Sequence, residues 1–296
     1  MSNELDPPIL RCEDPNLADL LIIGAGYDRT ASFGKGAIDG PRAILDSFEQ
    51  LELYDRVSDS IPCELLSIGK VEVADLNELS AQQMVERLTV VYESYSNAFR
   101  LLLGGEHSVT NAPLCAFADH ADAITVVQID AHADLREDDS DFEAQPHGRF
   151  AHCSVMRRAL DLNYKICQIG VRAYSHRERA LFDHPDVTTF EWSSSPASAE
   201  TIIDSIKTEC VYLTIDVDGL DPAVMPATGT PVPGGLDWYT TLQILERLTV
   251  RHRLVGADIV EVAPRAGDSQ TQYNAAQLAY SLIGLLAREG SPTKLK

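Results

Sequence analysis

The stretch Ile124-Thr-Val-Val-Gln-Ile129 is followed directly by the segment Asp130-Ala-His132-Ala-Asp134. The first six residues are mostly apolar and β-branched, which is typical of a strand covered on both faces. Asp130, His132 and Asp134 occupy alternate positions, so in extended backbone their side chains point to one side. Two carboxylates and an imidazole would be costly to bring together there unless a cation lay between them. By itself the segment fits either a metal-binding strand end or a solvated loop.

Similar apolar runs recur along the chain and alternate with longer amphipathic segments. The runs that we interpret as strands cover residues 18–23, 64–68, 99–103, 124–129, 165–171, 187–191, 210–215 and 254–260. The segments that we interpret as helices cover residues 40–50, 81–98, 109–118, 154–162, 199–207, 240–251 and 274–288. Ser198 and Asp237 precede two of them as predicted N-caps. The alternation predicts an α/β fold with one parallel sheet between helices, and we expect a single domain over residues 1–296.

A second apolar strand ends in the same kind of cluster. In Thr214-Ile-Asp216-Val-Asp218-Gly219, the carboxylates of Asp216 and Asp218 again face one direction. His107 follows Gly104-Gly-Glu106, where a strand turns into a helix. A lone histidine is more often structural than a metal ligand, but parallel strands bring their carboxyl ends to one edge of a sheet. The resulting set has two imidazoles and four carboxylates: His107, Asp130, His132, Asp134, Asp216 and Asp218.

This set has the composition of a binuclear metal site. Four aspartates supply four negative charges, which two divalent cations would balance. Oxygen-rich ligands with two nitrogens favour manganese-like ions over zinc. Two such ions ~3.5–4 Å apart can share a water molecule and lower its pKa, which gives a hydroxide nucleophile near neutral pH. The set therefore predicts a metal-dependent hydrolase.

The charge balance narrows the range of partners. The 296 residues include 24 Lys+Arg and 45 Asp+Glu, a formal net charge of −21. Such a chain is not expected to bind nucleic acid or an anionic membrane, and it suits cationic ligands and metal ions. Its apolar runs fall far short of the roughly 20 residues that a membrane-spanning helix needs. Its first ten residues do not resemble a signal peptide.

The cysteine pattern and one glycine cluster argue against a structural zinc site and a nucleotide site. The six cysteines are scattered and include no C-x-x-C pair, so neither disulfides nor structural zinc are expected. A cytoplasmic location is expected for the same reason. Gly24-Ala-Gly26 follows a predicted strand, as in dinucleotide-binding loops. The third glycine of that motif is replaced by Arg29, so a simple strand-end loop is favoured over a nucleotide site.

Several stretches of the chain resemble those of the ureohydrolases, the family of arginases and agmatinases. The metal motifs around His107, Asp130 and Asp216 are similar to those of the family, as is the segment Thr228-Gly-Thr-Pro-Val-Pro-Gly-Gly235. An upstream stretch, Ser32-Phe-Gly-Lys-Gly-Ala-Ile-Asp-Gly-Pro-Arg-Ala-Ile44, resembles the corresponding loop of bacterial and archaeal agmatinases. The resemblance runs in the expected order from about residue 20 to about residue 290.

The resemblance implies a three-layer α/β/α fold with an eight-stranded parallel sheet and two Mn²⁺ ions per subunit. Its implied ligands for one ion are His107, Asp130, Asp134 and Asp216. Its implied ligands for the other ion are Asp130, His132, Asp216 and Asp218, so that Asp130 and Asp216 would bridge the two. It also implies assembly as a homotrimer or homohexamer.

Two further residues receive catalytic roles from the resemblance. Glu261, in Asp258-Ile-Val-Glu261, stands where the family places a glutamate that pairs with the substrate guanidinium, and a carboxylate can accept two parallel N–H bonds from that group. The family also has a histidine that passes protons to the leaving amine. His147 and His152 are both candidates, and the surroundings of His152 favour it.

The predicted reaction is hydrolysis of a guanidino compound, with agmatine, giving putrescine and urea, as the favoured substrate. The loop 136–143 carries five acids and one base, which suits a cationic substrate tail, although a solvated surface loop explains it equally well. The alternatives are the same chemistry on guanidinobutyrate, arginine or guanidine, and a catalytically silent member that binds a ligand. A substrate panel and the metal content distinguish them.

Overall fold

The computed structural model describes residues 9–144 and 146–290. Within them, eight strands form one sheet in which all neighbouring strands are parallel. They are β1 (Leu20–Ala25), β2 (Ile68–Glu72), β3 (Phe99–Gly104), β4 (Ile124–Ile129), β5 (Lys165–Val171), β6 (Val187–Glu191), β7 (Cys210–Asp216) and β8 (Arg253–Val260). Their order across the sheet is β2-β1-β3-β8-β7-β4-β5-β6. The predicted α/β class with an eight-stranded parallel sheet is confirmed.

Helices connect most of the strands. In the described part of the chain they are α1 (Gly40–Phe48), α2 (Pro62–Leu65), α3 (Ala81–Ser94), α4 (Asn111–Ala116), α5 (Val155–Asp161), α6 (His176–Arg179), α7 (Ala199–Ser205), α8 (Trp238–Arg251) and α9 (Gln270–Arg288). The side chains of Ser198 and Asp237 accept backbone N–H bonds at the starts of α7 and α8, which confirms both predicted caps. No helix within the described ranges combines the length and apolar character needed to cross a membrane.

Both faces of the sheet are covered. On β1, Leu20 and Ile22 pack into a core cluster that includes residues of α1, α8 and α9. Leu21 and Ile23 point the opposite way, into a cluster that includes residues of α3, α4 and α5. This two-sided burial explains why the strand runs are apolar throughout and lack the alternation of a half-exposed sheet.

Residues 64–68 do not form the strand that we predicted there. Pro62 occupies the first turn of α2, where its fixed φ and missing N–H are tolerated, and the strand β2 begins only at Ile68. β2 lies at the edge of the sheet, and three of its five residues are not buried. Its sequence therefore lacks the continuous apolar run on which the strand prediction depended.

Four adjacent strands at the centre of the sheet, β3, β8, β7 and β4, position the candidate site. The chain passes from β3 to β4 and leaves a space between them that β7 and β8 later fill. Loops that leave such a reversal point diverge and open a crevice at the carboxyl ends of the strands. All the predicted site residues follow strands of this crevice or lie on loops that border it.

Candidate metal centre

The six predicted ligands come together in the crevice, and we call this group the candidate metal centre (His107, Asp130, His132, Asp134, Asp216 and Asp218). His107 Nδ1 lies 3.0 Å from Asp134 Oδ2, 3.1 Å from Asp130 Oδ2 and 3.5 Å from Asp216 Oδ2. On the other side of Asp130, His132 Nδ1 lies 3.1 Å from Asp218 Oδ2. The centre therefore brings together the ends of β3, β4 and β7.

Hydrogen bonds fix the orientation of the His107 ring. Its Nε2 lies 2.9 Å from the hydroxyl of Thr214, and that hydroxyl donates to Asp258 at 2.5 Å. Tyr212 donates to the second oxygen of Asp258 at 2.7 Å. Because the Thr214 proton goes to Asp258, Thr214 accepts a proton from Nε2–H of His107. With no ion present, burial opposes protonation of His107, but Asp130 and Asp134 outweigh it and raise the pKa of His107 well above 6.5. A metal ion would take the place of that proton at Nδ1, because Nε2–H is engaged by Thr214.

This arrangement fits bound cations. Nδ1 of His107 is buried without a hydrogen-bond partner among the described residues, although three carboxylate oxygens surround it. Two sets have donor atoms within 4.8 Å of one another: His107, Asp130 and Asp216, and Asp130, His132 and Asp218. Asp130 is common to both sets, whereas Asp216 falls only in the first. A lone pair and several acceptors that point at one another are satisfied by a metal ion between them.

Two carboxylates of the centre, those of Asp134 and Asp216, are less easily ionised when no ion is bound. Burial, and then the charge of Asp130, raises the pKa of Asp134 to about 7. Burial also raises the pKa of Asp216 well above 3.8, and the charges of Asp218 and Asp130 add to this effect. Divalent cations would reverse both shifts, because they stabilise the ionised forms.

Residues outside the predicted set hold the ligands in place. Gln128 donates to Asp130 Oδ2 at 2.7 Å, and Gln168 in turn donates to Gln128 at 2.6 Å. Arg172 donates to the backbone carbonyls of Asp218 and Leu220 and so anchors the loop after β7. These roles were not predicted from the sequence. Polar side chains inside otherwise apolar strands, such as Gln128 and Thr214, are the signal that could have revealed part of them.

The backbone around the candidate metal centre has unusual φ values and unusually close contacts between loops. Asp134 and Glu261 have φ values of 50° and 65°, which non-glycine residues rarely adopt and which cluster at functional sites. A Cβ on Gly105 would lie 2.0 Å from the carbonyl oxygen of Tyr27, and one on Gly219 would lie 2.6 Å from the backbone nitrogen of Asp130. Only glycine allows these loops to approach each other so closely.

Glu261 and His152 line the same cavity as the candidate metal centre. The cavity has a volume of about 320 Å³. Glu261 accepts the backbone N–H of His107 at 2.7 Å, and burial and the charge of Glu106 raise its pKa well above 4.5. Burial, together with the charges of His107 and His132, lowers the pKa of His152 to about 3, so the imidazole is neutral at physiological pH.

His147 and the acidic loop 136–143 have partners of their own. His147 Nδ1 lies 2.9 Å from Asp139, which is fully buried and also accepts the backbone N–H groups of His147 and Gly148. Glu137 pairs with Arg157 and Arg158, and Asp141 with Arg136 and Arg177. The loop contributes Arg136 and Phe142 to the cavity wall, whereas its acidic residues are not among the described residues that line the cavity.

Comparison with known proteins identifies the family. The profile of the arginase family matches residues 18–284. The chain belongs to the arginase family. An N(1)-aminopropylagmatine ureohydrolase of Synechocystis sp. is 36% identical over 277 residues, which cover 90% of this chain and 89% of the relative. An agmatinase of Pyrococcus horikoshii is 32% identical over 292 residues, which cover 97% and 98% of the two chains.

Solved structures of the arginase family agree with this membership. The crystal structure of agmatine ureohydrolase of Thermoplasma volcanium has a TM-score of 0.74 and 28% identity, and it covers 92% of this chain and 91% of its own. This arginase-family chain is thus a ureohydrolase enzyme, and its two overlapping sets of metal-binding residues are consistent with a binuclear metal hydrolase.

Proposed function

We propose that this enzyme uses two Mn²⁺ ions to hydrolyse agmatine to putrescine and urea. The observation that carries the proposal is the pair of residue sets that share Asp130 and face a cavity lined by Glu261 and His152. The family relationship supports guanidino hydrolysis, and the upstream sequence resemblance favours agmatine.

In this proposal the candidate metal centre holds both ions. His107, Asp130, Asp134 and Asp216 would hold one, and Asp130, His132, Asp216 and Asp218 would hold the other, so that Asp130 and Asp216 would contribute to both. The oxygen-rich set favours Mn²⁺ over Zn²⁺. When bound, the ions would activate a water molecule for attack on a guanidinium carbon.

Glu261 and His152 act on the substrate itself. The guanidinium is planar and cationic, so the Glu261 carboxylate binds it through parallel N–H···O bonds and places its carbon over the metal centre. Hydrolysis adds one water across the bond between that carbon and the alkyl-bearing nitrogen, which leaves as an amine and needs a proton. His152, neutral and open to the cavity, takes up a proton released by the added water and passes it to the amine nitrogen.

The remaining wall of the cavity suits an apolar or cationic tail. Phe142 and Tyr174, 42% and 39% exposed, contribute aromatic rings, which pack against methylene groups and attract ammonium ions. The guanidinium of Arg136 pairs with Asp141 and Glu178 and is therefore a poor partner for a substrate carboxylate. These contacts favour agmatine over arginine or guanidinobutyrate.

N1-aminopropylagmatine is a second candidate substrate. The Synechocystis relative is named for it, and it carries the same guanidinium and a longer cationic chain. The partly exposed rings of Phe142 and Tyr174 line the cavity, and the methylene groups of the longer chain can pack against them.

A substrate panel tests the proposal. The Mn²⁺-loaded protein is incubated with agmatine, N1-aminopropylagmatine, guanidinobutyrate, arginine and guanidine, and urea and amine products are measured against a metal-free control. The highest kcat/KM is expected for agmatine. A higher value for N1-aminopropylagmatine would transfer the assignment to that substrate. No urea from any of them, with fewer than two ions bound per chain, would instead indicate a silent member.

Three further expectations accompany the proposed function. A cytoplasmic location, a homotrimer or homohexamer, and a single domain over residues 1–296 stay predictions. Light scattering coupled to size-exclusion chromatography gives the oligomeric state directly, and limited proteolysis tests whether the chain divides into separate domains.

A further inference from the structure

The His152 ring is anchored by one residue, Thr30, on the loop after β1. The backbone N–H of His152 donates to the Thr30 hydroxyl at 2.9 Å, and Nδ1 of the ring lies 2.9 Å from the Thr30 carbonyl oxygen. The opposite ring nitrogen, Nε2, lies 3.3 Å from the hydroxyl of Ser32, which lines the cavity. Both ends of the imidazole are therefore held by the same short loop.

Thr30 is itself held by the strand end that carries His107. It is fully buried, its backbone N–H donates to Glu106 Oε2 at 2.9 Å, and its hydroxyl bonds to Glu106 Oε1. Ser108 donates to Glu106 Oε1 at 2.6 Å. Glu106 is also fully buried, so these contacts are shielded from water and give Thr30 a defined position relative to the candidate metal centre.

These contacts determine which ring nitrogen carries the proton. A backbone carbonyl only accepts hydrogen bonds, so Nδ1 of His152 must be the donor to Thr30. The neutral ring then has its lone pair on Nε2, on the cavity side. This assignment depends on the carbonyl of Thr30 and holds whatever the charge of Glu106.

We propose that Thr30 is a positioning residue that fixes His152 as the Nδ1–H tautomer, with Nε2 as the atom through which protons enter and leave. The proposal rests on the proposed function of His152 as the proton carrier. Nε2 takes up a proton, the resulting imidazolium keeps its Nδ1–H bond to the Thr30 carbonyl, and the same Nε2 proton passes to the leaving nitrogen. The ring ends each cycle neutral and in its starting orientation.

The tautomer is measured without any assay of activity. Protein labelled with ¹⁵N-histidine is prepared with Zn²⁺ in place of paramagnetic Mn²⁺, and two-bond ¹H–¹⁵N correlations are recorded near pH 8. The His152 signals are identified by their loss in the variant His152→Gln. The expected result is a protonated Nδ1 and an unprotonated Nε2. An Nε2–H tautomer, or a doubly protonated ring, would overturn the inference.

Variants of Thr30 test its consequence for catalysis. Thr30→Val keeps the backbone carbonyl and the shape of the side chain but removes the hydroxyl that bonds to Glu106 and to the His152 N–H, so the carbonyl is no longer held against Nδ1. We expect kcat to fall about 10-fold or more, with little change in KM or Mn²⁺ content. Thr30→Ser keeps the hydroxyl and restores most of kcat. Thr249→Val is the matched control, because Thr249 is buried in α8 and bonds only to carbonyls of its own helix among the described residues.

The two measurements separate this inference from the proposed function. If the wild type releases no urea from any guanidine, the proposed function fails, and the tautomer measurement still decides the role of the Thr30 carbonyl. If the wild type is active and Thr30→Val has the wild-type kcat, the positioning role is wrong while the proposed function stands.

Discussion

Two acidic regions lie beside each other at the carboxyl edge of the sheet, and they differ in what satisfies their charges. In the loop 136–143, carboxylates are bound by groups of the protein: Asp139 accepts three N–H groups, and Asp141 pairs with Arg136 and Arg177. In the candidate metal centre, burial raises the pKa of Asp216, and the charges of Asp218 and Asp130 raise it further, although Asp216 accepts the backbone N–H of Asp218. Groups of the protein thus satisfy the charges of Asp139 and Asp141 in the loop, whereas Asp216 in the centre lies among other acids.

This difference shows why a count of acids does not locate a site. Buried carboxylates with protein donors stabilise local structure, as Asp139 does. Buried carboxylates that face one another and a histidine lone pair need a cation from outside the chain. Substitutions of the same chemical kind in the two regions should therefore have opposite consequences.

The largest effect is expected for Asp216→Asn. It removes a proposed bridging ligand, so we expect fewer than two Mn²⁺ per chain and urea formation at the level of the metal-free control. Because a raised pKa of Asp216 makes the ion-free fold less stable at neutral pH, the chelated variant should unfold about 2 °C or more above the chelated wild type. Metal analysis and calorimetry with a chelator check both. A lower unfolding temperature would place Asp216 with the structural acids of the loop.

Glu261→Gln should have the next largest effect on activity. The amide presents N–H donors to the N–H groups of a guanidinium, so kcat/KM for agmatine is expected to fall about 100-fold with the Mn²⁺ content unchanged. The matched control is Glu137→Gln, which makes the same change in the loop at a carboxylate paired with Arg157 and Arg158. Equal losses in the two variants would contradict the distinction between the regions.

Asp139→Asn should affect stability and leave the chemistry intact. We expect a loss of about 1–3 kcal/mol in unfolding free energy, because the amide cannot accept all the bonds that Asp139 accepts. Burial opposes ionisation of Asp139, but backbone N–H bonds from His147 and Gly148 outweigh it and lower its pKa below 3.8. The stabilisation is therefore present above the unfolded pKa and is lost as pH falls through the lower folded pKa. Unfolding at several pH values measures this difference, and a difference independent of pH would refute the assignment.

The smallest effect is expected for Asp141→Asn. Asp141 is partly exposed, and its ion pairs with Arg136 and Arg177 are solvated. The equilibrium constant of unfolding and kcat/KM for agmatine should each stay within about twofold of the wild-type value. A larger fall in kcat/KM for agmatine than for guanidine, which has no tail, would show that this loop does attract the substrate tail, and would remove the contrast between the two regions.

The apolar strand runs were predictable because buried parallel strands need apolar residues on both faces. The edge strand β2 and the turn at Pro62 were not, because an exposed edge imposes no such requirement. For the site, the alternate spacing of Asp130, His132 and Asp134 was enough to group them, since a strand end places such residues on one side.

The sequence by itself determined the buried strands, the metal-ligand motifs and the family resemblance, because each depends on the pattern of residues within short segments. Only the tertiary structure decided which acids have partners. Asp139 bonds to His147, whereas the pKa of Asp216 is raised by burial and by neighbouring carboxylates. The tertiary structure alone also placed Thr30 against His152, 122 positions apart in the chain. The contact between Thr30 and His152 joins segments distant in sequence, and no local pattern encodes the packing that brings them together.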